Sequence, residues 1–222
     1  MDRGGSEVRA VLAWLKRHGS KRNVAGMARY GITSTAPVVG VSVGTLRSLA
    51  KRLGKDHDLA AELWDAGWYE SRMLATLVDE PSRVTSRQMN AWAADFDNWA
   101  ICDTACFHLF DKTPLAWGKA REWAKSPREF VKRASFALIA SLALHDKTTP
   151  DSRFRSLLPL IERGATDDRN FVKKGVSWAL RSLKRRGPRV RAAARALAQQ
   201  LAQSDDPTKR WVGKDGLRDL TR

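Results

Sequence analysis

Three scarcities narrow the field before any motif is read. The chain of 222 residues has only two cysteines, Cys102 and Cys106, one helical turn apart. That spacing cannot staple a fold, and with four scattered histidines it makes no zinc pattern. The pair reads as reduced core thiols of an intracellular protein. Long apolar runs are missing as well. Nothing approaches the ~20 residues that span a bilayer, and the opening "MDRGGSEVRA" lacks the shape of a signal peptide. A soluble, cytoplasmic protein with no membrane partner is the expectation. Acid is the third shortage: 24 Asp and Glu stand against 40 Lys and Arg, a formal net charge of +16. The sequence pI is near 10.5. So basic a chain implies a polyanionic partner, most often nucleic acid, although charge alone leaves DNA, RNA and an anionic membrane surface open.

Tryptophan, by contrast, is abundant: nine, against two tyrosines. With 43% hydrophobic residues the chain can bury a core as one domain or one continuous array. Alternating strand patterns do not persist. Segments such as "EVRAVLAWLKRHG" (7–19), "DLAAELWDAG" (58–67), "REFVKRASFALIASLALH" (128–145) and "NFVKKGVSWALRSLKRRG" (170–187) all carry the helical period. Gly19, Gly67, Gly164 and Gly187 read as helix ends, and Pro81, Pro114, Pro127, Pro150 and Pro207 as starts or joins. The locally β-like "APVVGVSVG" (36–44) reads as a connection into the helix containing "TLRSLAKRLG". The fold class is all-α.

The chain also repeats. Placing "EFVKRASFALIASL" (129–142) over "NFVKKGVSWALRSL" (170–183), 41 residues on, superposes Phe130 on Phe171, Val131 on Val172, Lys132 on Lys173 and Arg133 on Lys174. Ala137 then meets Trp178. "YESRMLATLV" (69–78) fits the frame loosely, and an offset of 34 brings Phe96 onto Phe130. Repeats of this length built from helix pairs mark a HEAT-like or armadillo-like solenoid, one domain over 1–222, whose equivalent helices line a basic concave groove. A coincidence of helical frames is the alternative.

Two stretches carry chemistry. In "FDNWAICDTAC" (96–106), Phe96, Trp99, Asp103, Cys106 and, further on, Phe110 share one helical face. A carboxylate in an aromatic stripe is most simply a helical Asp paired with a nearby Arg. The sharper reading is a receptor for positive charge, built from ring faces and one anion. On a polyanionic partner such as DNA, an N-alkylated purine is the obvious cation. The same carboxylate would stabilise the oxocarbenium-like sugar formed as that base leaves. The second stretch places Lys174, Trp178, Arg181 and Arg185 on one helical face. Cations interleaved with an aromatic suit phosphate contact with packing against sugars or bases; a solvated face or core packing of Trp178 are the plainer readings.

With these residues in view, the chain resembles the AlkD-type DNA glycosylases of the DNA alkylation repair family, which are built from HEAT-like repeats. The resemblance runs through "MARYGITSTAPVVGVSVGTLRSLAK" (27–51), "LWDAGWYESRMLATLV" (63–78), "FDNWAICDTAC", "EFVKRASFAL" and "FVKKGVSWALR". It implies that Asp103 is the essential carboxylate, and that Trp99, Trp178 and Tyr30 contact the lesion sugar and backbone. It implies that Arg133 contacts the DNA backbone, with Lys173, Lys174 and Arg181 as further backbone-facing cations. It also implies removal of cationic N3- and N7-alkylpurines from duplex DNA without base flipping, leaving an abasic site. No metal or nucleotide cofactor and a monomeric state go with that reading. The chain departs from the family's pattern at Asn98, where a second Trp is common, and at Cys102 directly before the carboxylate. Both put lesion preference in question more than the reaction. The competing expectations are a non-catalytic HEAT-like module for distorted or branched DNA and a scaffold for an acidic protein partner.

Overall fold

The computed structural model describes residues 3–220, and these are helical or irregular without a strand. In chain order the α-helices are α1 (Arg3–Arg17), α2 (Lys21–Met27), α3 (Val43–Leu53), α4 (His57–Asp65), α5 (Tyr69–Val78), α6 (Ser86–Ala94) and α7 (Trp99–His108). They continue with α8 (Ala116–Trp123), α9 (Glu129–His145), α10 (Asp151–Arg155), α11 (Leu158–Gly164), α12 (Asn170–Ser182), α13 (Pro188–Ala202) and α14 (Pro207–Leu220). The starts are set locally. Ser20, Ser42, Asp56, Thr85 and Asn98 each accept a backbone N–H from the first turn of the helix that follows. Pro188 and Pro207 open α13 and α14, where their missing N–H leaves no helical bond unmade. Among the described residues, no helix is long and apolar enough to cross a membrane.

Packing groups the helices into two compact units, Met1–Thr113 and Pro114–Arg222, where the sequence reads as one uninterrupted array. In the first unit α4 packs on α1 and α5, and α5 packs on α3 and α7. Its core includes an aromatic cluster. Trp64 and Trp92 stack with centroids 4.1 Å apart, and Phe96 meets Trp64 edge-on at 6.2 Å.

The second unit is organised on the α9–α12 pair, with α8 against α9 and α14 against both α12 and α13. The 41-residue frame read from the sequence has a physical counterpart here. Phe130 and Phe171, equivalent in that frame, are in ring contact at 5.3 Å, while Val131 and Val172 are both buried. Gly164, read as a helix end, is the last residue of α11. A Cβ there would overlap the Phe136 ring of α9, so this glycine sets how closely the two helices approach. We therefore expect Gly164→Ala to destabilise the protein by about 1–3 kcal/mol through overpacking. Gly118 is exposed in α8, and a Cβ there meets nothing within 4 Å; Gly118→Ala should stabilise by about 0.5–1 kcal/mol. Thermal unfolding of the two variants beside wild type checks both signs.

Candidate functional site

The aromatic stripe divides once the helix boundary is known. Helix α7 begins at Trp99, so Phe96 lies before it and not on its face. Phe96, Cys106 and Phe110 are buried, whereas Trp99 and Asp103 are only half-buried. The apolar members thus belong to the core, and the Trp and the carboxylate stand at its edge, one turn apart. Both cysteines are buried free thiols. Burial, a hydrogen bond with Cys102 and the charges of Asp103 and Asp111 push the Cys106 thiol up, which fits an inert core residue.

The start of α7 is held by a dense set of hydrogen bonds. Asn98 caps the helix, accepting from Ala100 N at 3.0 Å and Ile101 N at 3.1 Å, and its own amide donates to Asp97 Oδ1 at 2.6 Å. The other Asp97 oxygen accepts from Thr35 N at 2.7 Å, Ser34 Oγ at 2.9 Å and Thr35 Oγ1 at 3.0 Å. Burial alone would raise the Asp97 pKa; these donors outweigh it and hold the carboxyl below its ordinary value. One residue beyond the cap, Trp99 Nε1 donates to the Tyr30 carbonyl at 3.0 Å. Tyr30 is thereby brought beside Trp99 although 69 residues separate them, and its own side chain is 72% exposed. The structure thus gathers three of the sequence-derived candidates, Tyr30, Trp99 and Asp103, at one edge of the first unit.

The other end of the same connection is fixed by Glu70, which is fully buried in α5. Its carboxylate accepts from Val39 N, Gly40 N at 2.6 Å and Val41 N. Gly40 has φ +85°, and a Cβ there would collide with the Ser20 carbonyl, so only glycine fits this close approach. Beside it, burial and the charges of Glu70 and Asp97 raise the Tyr69 phenol to about 12. A cleft of about 450 Å³ lies above, with Arg22, Arg29 and Tyr30 among its lining residues. The sequence reading passed over Asp97 and Glu70. The only local signal was the Asp-Asn pair ahead of a helix start.

In the second unit the candidate cations have unequal surroundings. Lys174 is exposed on α12, and Trp178, one turn on, is half-buried. Lys173 lies over the Trp211 ring at 5.4 Å. Arg181 is committed to α14, with Nη1 to Asp219 Oδ2 at 3.0 Å and Nε to Asp215 Oδ2 at 3.7 Å. Arg185 falls in a 3-10 turn after α12 ends, off the helical face. Arg133 departs furthest from expectation. It is 6% exposed and donates to the Phe171 carbonyl at 2.7 Å, so its guanidinium joins α9 to the start of α12 instead of standing at a surface for phosphate. Sequence pattern could not distinguish these cases, because a cation on a helical face looks the same whether the neighbouring helix carries an acid or not.

Asp97 gives a pH-dependent expectation. Its folded pKa is lowered, so its contribution to stability is complete above the ordinary carboxylate value of about 3.9 and is lost as pH falls through the folded value. Asp97→Asn should be less stable than wild type at neutral pH, with faster amide exchange at Thr35, and the stability gap should close below about pH 4. Denaturant titrations across pH, with hydrogen exchange at neutral pH, measure both.

Residues 11–218 match the sequence profile of the family described as DNA alkylation repair enzyme. A Listeria innocua protein described as uncharacterized is 26% identical over 106 residues, covering 46% of this chain and 47% of that protein. The chain thus spans about half the length of that curated relative. A solved structure, reported as a new family of proteins related to the HEAT-like repeat DNA glycosylases with affinity for branched DNA structures, matches with a TM-score of 0.77 and 17% identity. That match covers 96% of this chain and 95% of that one. The architecture is a HEAT-like helical repeat.

Proposed function

The chain belongs to the DNA alkylation repair enzyme family, and on that premise we propose that it is a monofunctional DNA N-glycosylase for positively charged N3- and N7-alkylated purines in duplex DNA. The observation that carries this reading is Asp103, half-buried one turn after a tryptophan whose ring N–H is tied to Tyr30. In a chain of net charge +16, a carboxylate at the rim of an aromatic edge is costly for simple DNA affinity. It suits a reaction that develops positive charge.

The chemistry is economical. An N-alkylated purine already carries a positive charge, so its departure from C1′ needs no protonation. As the C1′–N bond lengthens, the pair of electrons leaves with the base, which becomes neutral, and positive charge passes to the sugar. Asp103 stabilises that charge, and the faces of Trp99 and Tyr30 line the approach. Water then adds its oxygen to C1′ and yields a proton to Asp103 or to solvent, leaving an abasic site. A carboxylate in this role contributes a few kcal/mol, or about 10²–10³ in rate. In the second unit we assign phosphate contact to Lys174 and packing against the DNA backbone to Trp178. Lys173 and Arg181 contribute less, because Trp211, Asp215 and Asp219 engage them. The site of action is the cytoplasm, at the chromosome, with the protein as a monomer.

A second reading has an observation of its own. The solved structure of similar fold is described as having affinity for branched DNA, so a non-catalytic role in binding distorted DNA is the alternative.

Methylated duplex DNA decides between them. The glycosylase releases 7-methylguanine and 3-methyladenine and leaves abasic sites without strand cleavage. A protein that releases neither base, yet prefers four-way junctions to linear duplex, is the binding module. In either case Lys174→Ala should reduce the slope of log K against log salt by about 0.9, one phosphate contact, and Arg181→Ala by less.

A further inference from the structure

Outside the Tyr30–Trp99–Asp103 edge, the first unit holds a second feature that the reaction does not use. Three cations, two on α3 and one just after it, border a hollow of about 290 Å³ lined by Arg47, Ala50, Lys51, Gly54, Lys55 and Leu77, and a fourth, Lys112, comes near from another segment. Arg47 and Lys51 are exposed, one turn apart on α3. Arg47 Nη2 also lies 3.3 Å from His108 Nε2 at the end of α7. Lys55 follows α3 and donates to the carbonyls of Leu77 at 2.9 Å and Asp79 at 2.8 Å, which leaves one of its three N–H groups for another acceptor. Lys112 stands near enough that its charge, after burial, lowers the Lys55 pKa; Asp79 and Glu80 act in the opposite sense. Lys112 Nζ is anchored on the His108 carbonyl at 2.7 Å. Among the described residues, no carboxylate lies within ion-pairing distance of Arg47, Lys51, Lys55 or Lys112.

A helix C-terminus attracts cations, and that accounts for basic residues in the last turn of α3. It does not account for Lys112 being brought near the same place from another segment. Like charges held together without a direct ion pair raise the free energy of the empty site, and an anion relieves it. We propose that Arg47, Lys51 and Lys55, with Lys112 at the rim, seat a backbone phosphate of the DNA strand.

The position fits that ligand. His108, which Arg47 touches, lies five residues after Asp103 on α7, roughly 8 Å along the helix axis. The hollow has an apolar floor and three distinct cationic donors, so it holds one phosphate in place more than it adds general attraction. Its role is to anchor the DNA backbone beside the end of α7.

This inference rests on the DNA-binding reading, and the experiment separates the two. Binding of unmodified duplex is measured from 50 to 200 mM salt for wild type, for Arg47→Ala/Lys51→Ala, and for Arg9→Ala/Arg17→Ala, which removes the same charge from exposed positions on α1. Loss of two phosphate contacts should make the slope of log K against log salt shallower by about 1.8, so that the fourfold rise in salt weakens the double variant about tenfold less than wild type. The α1 variant should keep the wild-type slope. An unchanged slope in Arg47→Ala/Lys51→Ala, with wild type binding steeply, overturns the phosphate seat and leaves the DNA reading standing. Equal effects in both double variants also overturn it, since net charge alone then explains the loss. Absence of salt-dependent duplex binding by wild type overturns both readings.

Discussion

Asp97 accepts hydrogen bonds from Ser34 and Thr35 on one side and from Asn98 on the other, and each partner supports a different part of the candidate site. Asn98, oriented by that bond, caps α7 and fixes where the helix begins. The helix start fixes Trp99, and one turn later Asp103. Ser34 and Thr35 carry the chain back toward Tyr30, whose carbonyl receives the Trp99 ring N–H. Four bonds to one half-buried carboxylate therefore align two segments that neither share a helix nor lie near each other in sequence. Glu70 repeats the device at the other end of the connection, where three consecutive N–H groups converge on it. An irregular segment has no ladder or helix to satisfy its backbone, so these carboxylates take that part.

The excess of positive charge is not spread evenly over function. Much of it is engaged inside the protein. Arg133 bonds the Phe171 carbonyl, Lys132 and Arg169 share Asp167, and Arg186 bonds Asp151 and packs on the Phe154 ring. Those contacts hold Asp167 well below the ordinary carboxylate range. What is left for a polyanion is the exposed cations, among them Lys174 on α12 and the Arg47–Lys51 pair on α3. The formal charge of +16 points to the kind of partner; the ion pairs decide which residues are free to meet it.

Fold class was legible because helical period, caps and proline positions act locally, and Ser42 and Asp56 cap just ahead of the segments the pattern reads as helices. The α9–α12 pairing was legible through the repeat, since equivalent residues of neighbouring helices face each other, as Phe130 and Phe171 do. Trp99 and Asp103 were reached through helical spacing and Tyr30 through motif resemblance, and the structure supplies the contact between Trp99 and Tyr30. The boundary at Trp99 was not legible, because Phe96 continues the helical spacing by coincidence of a turn. Nor were Asp97, Glu70 and the burial of Arg133: each depends on partners 29 to 63 residues away. Spacing along the chain carries no record of such distant pairings.

The central claim is that Asp103 acts on the transition state and not on DNA affinity. Single-turnover release of 7-methylguanine by wild type and Asp103→Asn, with duplex affinity measured in parallel, tests it most directly. The account predicts a rate lower by about 10²–10³ in the variant, with affinity unchanged or slightly tighter because a negative charge has left the DNA-facing surface. An unchanged rate, or a rate that falls only in step with affinity, would contradict it.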